Sequence, residues 1–120
     1  MKKDKIFNIL KMLLESDPTD IKSRHISAIV YKGRIIAIGR NKIKSHPFQK
    51  RFSANPNKIY LHSEVECIHK SLKKITVEQL KKSTLYVIRL MADGSLGNSK
   101  PCDGCNRCIA TFGIKNVIHS

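Results

Sequence analysis

Two short motifs, His62-Ser63-Glu64 and Pro101-Cys102-Asp103-Gly104-Cys105, constrain the fold of this chain more than any other feature. Between them they supply one imidazole, two thiols and one carboxylate, at spacings that suit a single metal ion. Two cysteines three residues apart at a helix start can point at one metal, and the positive end of the helix favours their thiolate form. Pro101 suits the position just before that helix, because it lacks an N–H that would be unpaired there anyway. His62 and Glu64 open a second apolar-periodic segment, Val65, Ile68 and Leu72. The fold must therefore bring two helix starts together. A catalytic zinc takes three protein ligands and keeps one position open for water. His62, Cys102 and Cys105 fill the three ligand positions, which leaves Glu64 free to move protons.

Each motif alone is weak. H-x-E arises by chance, and C-x-x-C also serves as a redox pair or as half of a structural zinc knuckle. Cys108 extends the run to C-x-x-C-x-x-C and raises the alternative of a closed Cys3His structural site. On a helix, however, Cys108 lies one turn beyond Cys105, so it reads as a buried apolar-like cysteine. Cys67, five residues after His62, should not reach the same metal.

A chain of 120 residues suits one domain, 1–120, with a core that needs no disulfides. Three of its four cysteines fall within seven residues, a metal-like spacing. Thiolate ligands imply a reducing, cytoplasmic setting. The apolar stretch Ile6–Leu14 is broken by Asn8 and Lys11, so it makes neither an export signal nor a membrane span. The net charge is +14, from 23 Lys and Arg against 9 Asp and Glu. From Ile21 to Ser63 there is no acidic residue, while ten Lys and Arg lead up to the motif. Such a field would attract a phosphate-bearing substrate; a merely solubilising surface is the competing reading.

Apolar periodicity predicts a helix over Asp4–Glu15 and a β-hairpin of His25–Tyr31 and Arg34–Gly39 about Lys32-Gly33. Arg40–Tyr60 reads as a long loop of the kind that often binds ligands. Helices follow at Leu61–Lys74 and Cys102–Phe112, with a short helical turn at Val77–Lys82. Strands are expected at Leu85–Met91 and Ile114–His119, a loop at Asp93–Ser99, and a cap at Gly113. Helical crossovers make the later strands parallel. The expected fold is α/β, a three-layer α/β/α sandwich on a mixed sheet of four strands.

H-x-E followed by P-C-x-x-C resembles the signature of zinc nucleobase deaminases. The chain resembles the cytidine deaminase superfamily, and within it the deoxycytidylate-deaminase-like proteins, including small phage-encoded members. Beyond the two motifs, the likeness rests on Arg24–Val30, Gly39-Arg40-Asn41, Ser45-His46-Pro47, Tyr60-Leu61, Leu85-Tyr86-Val87, Ser99-Lys100 and Phe112–Lys115, so it covers most of the chain. It implies Zn2+ held by His62, Cys102 and Cys105, Glu64 as proton shuttle, and Asn41 as a contact to the sugar or base. Ser63 stands where alanine is common in the family and is small enough to keep the geometry beside the substrate. His46, in the basic loop, is a candidate phosphate or base contact. His25, His69 and His119 read as ordinary strand or packing residues. Many relatives add a strand and helix beyond the point reached at Ser120, so a substrate contact carried there would be missing or supplied by a second subunit of a homo-oligomer. A phage-encoded member would act in the host cytosol.

The implied reaction is hydrolytic deamination of a cytosine ring to uracil and ammonia, with Glu64 carrying the water proton to N3 and then helping to deliver a second proton to the leaving amino group. Compactness and branch favour a free phosphate-bearing pyrimidine nucleotide such as dCMP. Charge favours cytosine in single-stranded nucleic acid; adenine deamination in tRNA is a weaker third reading. A small zinc-stabilised nucleic-acid-binding module is the non-enzyme alternative, and an intact Glu64 speaks against it.

Overall fold

The structure, a computed structural model, describes residues 3–16, 24–41, 51–52 and 62–120. Strands β1 (Arg24–Tyr31) and β2 (Arg34–Arg40) form the expected hairpin. Its two turn residues, Lys32 and Gly33, have φ of 50° and 76°, the double positive φ of a type I′ turn. On its other side β1 pairs antiparallel with β3 (Thr84–Leu90). The far edge of β3 carries β5 (Asn116–His119) in parallel, joined through the crossover helix α4 (Asp103–Thr111).

The sheet is apolar on both faces because β1 and β3 alternate between two cores. Ile26, Ala28, Val30, Tyr86 and Ile88 meet Ile6, Leu10 and Leu14 of helix α1 (Lys3–Glu15). Ile29, Leu85 and Val87 face the opposite way. There they meet helix α2 (Ser63–Ser71), the short helix α3 (Val77–Lys81) and α4, through Val65, Ile68, Leu80 and Ile109. The result is the three-layer α/β/α sandwich with a mixed sheet. No helix among the described residues is long and apolar enough to cross a membrane.

Two details depart from the sequence reading. The segment expected as a loop contains a two-residue strand, β4 (Leu96–Gly97), antiparallel to the end of β3, so the sheet has five strands among the described residues. A turn through Gly94, at φ 88°, folds the chain back, closed by Met91 N–H to the Ser95 carbonyl at 2.8 Å. Two residues are too few for a periodicity to show. Helix α2 stops at Ser71, short of Lys74. The Ser71 hydroxyl donates to the Ile68 carbonyl at 2.7 Å, and Lys74 and Ile75 N–H both fold back onto the Ser71 carbonyl.

The seating of α2 positions the motif. A Cβ on Gly39 would fall onto the Ser63 carbonyl oxygen and lie 2.5 Å from the Cys67 nitrogen, so only glycine lets β2 pass this close. Glu66, buried in the first turn of α2, accepts the Arg40 N–H at 3.0 Å and pairs with Lys70 at 3.1 Å. Lys70 and Lys74 reach over the edge strand to the carbonyls of Ile38 and Ile36, at 3.3 and 3.1 Å. At the other motif helix, Gly113 at φ 71° closes α4 with Gly113 N–H to Ala110 and Ile114 N–H to Ile109, a Schellman cap.

Candidate metal centre

The register brings the start of β1, the end of β2 and the end of β3 to one end of the sheet, since Arg24 pairs with Leu90 and Ile26 with Arg40. His62 and Cys102 are the N-caps of α2 and α4, both in extended backbone and without a capping side-chain bond. As caps, their side chains project beyond the first turn, where the two helix starts meet. The approach to Cys102 is pinned by Ser99, whose hydroxyl donates to the Val87 carbonyl at 2.8 Å and whose N–H donates to the Ser120 carbonyl at 2.9 Å.

Among the described residues, His62, Cys102 and Cys105 offer one imidazole nitrogen and two sulfurs within 4.8 Å of one another. His62 Nδ1 lies 3.3 Å from Cys105 Sγ and 3.5 Å from Cys102 Sγ; ideal Zn–N and Zn–S bonds at a tetrahedral angle give about 3.6 Å for that separation. The donor set and its spacing therefore fit zinc. Hydrogen bonds from Cys105 and His62 pull the Cys102 thiol down to about 3, while the same Cys102 bond and burial push the Cys105 thiol up. A metal ion would bind both sulfurs as thiolates.

Glu64 is 5% exposed and lines a cavity of about 230 Å³ at this end of the sheet. The Ser63 hydroxyl donates to Glu64 Oε1 at 2.7 Å and lies 2.7 Å from the Ser27 hydroxyl. A hydroxyl has one proton, so Ser27 donates to Ser63. The Ser63 side chain therefore faces Glu64 and β1, buried away from the cavity. Asn41 does line the cavity, and its Oδ1 accepts the His25 N–H at 2.8 Å. His46 lies outside the described residues.

Cys108 is buried in the core with Cys67, and burial pushes its thiol up to about 12. Cys67 donates to the Ala37 carbonyl at 3.3 Å, and burial raises its thiol as well. Neither joins the ligand cluster.

The sequence reading gave no site role to three residues on the cavity wall: His25, Ser99 and Lys100. Lys100 precedes Pro101 directly, and that adjacency to the motif was an available signal. His25 carried a weaker one, since β1 alternation puts it on the same face as Ser27 and Ile29.

The profile of the MafB19-like deaminase family matches residues 1–120. Among solved structures, the chain is similar to the dCMP deaminase of cyanophage S-TIM5 in its apo form. That similarity has 25% identity and a TM-score of 0.56, covering 99% of this chain and 84% of that one. The same phage enzyme in complex with dCMP and dUMP matches at 24% identity and a TM-score of 0.62, covering 99% and 82%. Curated protein sequences give no match.

Proposed function

The chain belongs to the MafB19-like deaminase family, and we propose that it is a zinc-dependent hydrolytic deaminase acting on the cytosine of a free deoxycytidine nucleotide, dCMP. The observation that carries this reading is the zinc-like spacing of His62, Cys102 and Cys105 at a cavity whose wall includes His62, Cys102 and the buried Glu64. A closed structural site would have no use for that carboxylate. The choice of dCMP follows the likeness to the cyanophage enzyme.

His62, Cys102 and Cys105 would hold the zinc. When bound, zinc supplies a Lewis acid that makes water a nucleophile at neutral pH. Glu64 would take one proton of the attacking water and deliver it to N3 of the ring, then take the second from the new C4 hydroxyl and hand it to the leaving amino group as the C4–N bond breaks and the carbonyl forms. Cytosine and water become uracil and ammonia, with no redox partner. The Ser27–Ser63 pair holds the carboxylate in place for both transfers. Asn41, fixed by the His25 backbone, faces the nucleoside, and Lys100, exposed at the cavity mouth, suits the phosphate.

The net charge of +14 favours one second reading, cytosine within single-stranded nucleic acid. Ammonia release by the zinc-loaded protein from deoxycytidine, dCMP and a cytosine-containing oligonucleotide decides between them. Highest kcat/KM on dCMP supports the proposal. Highest kcat/KM on the oligonucleotide replaces it with the second reading, and no release from any of the three refutes both.

A further inference from the structure

We propose that His25 is a substrate-binding residue whose Nε2 hydrogen-bonds a sugar hydroxyl of the nucleotide; this rests on reading the cavity as a nucleotide site. The side chain is half-buried and lines the cavity with Glu64, His62 and Cys102. Its Nε2 is shut off from water and has no hydrogen-bond partner among the described residues. Buried polar atoms seldom go without a partner in native proteins, and an exception calls for an explanation. A ligand in the cavity supplies one.

Position and chemistry narrow the choice. His25 and Ser27 share a face of β1 about 7 Å apart along the strand, and Ser27 leads through Ser63 to Glu64. With the ring amidine at Glu64, the next part of the same nucleotide at the sheet end is the sugar. The His25 backbone is locked to Asn41 in both directions, N–H to Oδ1 at 2.8 Å and Asn41 N–H to the His25 carbonyl at 3.3 Å, so the two residues sit side by side on the cavity wall. Burial lowers the His25 pKa below 6.5, ahead of opposing and reinforcing effects from Glu64, Arg89, His62 and Cys102. A neutral imidazole suits an uncharged group better than a phosphate, for which Lys100 is the nearby cation. A hydroxyl both donates and accepts, so it satisfies either imidazole tautomer; a base carbonyl satisfies only one.

The test is calorimetric binding of dCMP and of 2′,3′-dideoxycytidine monophosphate to zinc-loaded protein in a Glu64→Gln background, which prevents turnover. With His25 present, loss of the 3′ hydroxyl should weaken binding about 3- to 10-fold, the usual worth of one neutral hydrogen bond. In His25→Ala the two ligands should bind equally, and His25→Gln should recover part of the difference. Thermal unfolding of each variant checks folding, and the Gln variant carries the test if the Ala variant does not fold. Equal weakening of both ligands by His25→Ala, or no hydroxyl dependence with His25 present, overturns the assignment. Ammonia release is measured in parallel on protein with Glu64 intact. Hydroxyl-dependent binding without turnover counts against the deaminase reading and leaves His25 standing. Turnover without hydroxyl dependence overturns His25 alone, and failure of dCMP to bind overturns both.

Discussion

Glu64 is oriented before any substrate arrives, because its carboxylate already accepts from Ser63, which in turn accepts from Ser27. In the proposed reaction, a carboxylate held in this way would need no reorganisation to shuttle protons. Glu64→Gln keeps the shape and should keep the zinc, but it removes the basic oxygen. We expect turnover to fall by about 10²- to 10⁴-fold, with metal content unchanged by atomic absorption; near-normal turnover would refute the mechanism. The three cysteines of the C-x-x-C-x-x-C run should separate cleanly. Cys102→Ala should lose stoichiometric zinc. Cys108→Ala should retain it and lose about 1 kcal/mol of stability by denaturant titration, since Cys108 packs in the core. Full zinc in the first variant and loss in the second would reverse the ligand assignment.

At the scale of elements, the site depends on how closely α2 lies on β2. Gly39 permits that approach, and Glu66 fastens it to the Arg40 N–H. Gly39→Ala sets a methyl group against backbone atoms that cannot rotate away, so α2 must shift. The expected cost is about 1–3 kcal/mol. Activity should fall further than stability explains, because Ser63, whose carbonyl the methyl group meets, adjoins both His62 and Glu64. Thermal unfolding and kcat measured together check this, and an active variant of unchanged Tm would show that α2 does not depend on the contact. The lysines across β2 have a different role. Lys70 and Lys74 occupy edge carbonyls that would otherwise be open to another strand.

Over the whole molecule, the fold separates the described strand residues of the basic stretch that looks continuous in sequence. Lys32 lies in the hairpin turn and Arg34 just after it, while Arg24 and Arg40 lie at the opposite end of the same strands, beside the cavity. Seven strand steps separate Arg24 from Tyr31, about 23 Å, well beyond the screening length of about 8 Å at physiological ionic strength. Only part of the charge can therefore steer a ligand into the cavity. For dCMP we expect kcat/KM to fall shallowly as salt rises. A polynucleotide would add about 0.7 to the log–log slope of binding for each phosphate neutralised. A steep slope with an oligonucleotide as the better substrate would favour the nucleic-acid reading. A better rate on unphosphorylated deoxycytidine at every salt concentration would make the basic surface purely solubilising.

The sequence alone determined what is local. Pro101-Cys102 and Cys105 announce a helix start that presents two thiols, because the spacing is one helical turn. Lys32-Gly33 announces a tight hairpin, because a type I′ turn needs residues tolerant of positive φ. Apolar alternation in β1 and β3 requires cover on both faces, so three layers follow. Tertiary structure decided what depends on register between distant segments. The Ser27–Ser63 bond spans 36 residues and exists only because β1 runs beneath the start of α2. His25 looks like an ordinary strand residue until the pairing of β1 with β2 and β3 sets it on the cavity wall. The two-residue β4 forms only because β3 offers an open edge there. Side-chain type and short spacing specify the chemistry available, whereas which groups share a cavity depends on contacts that no local pattern encodes.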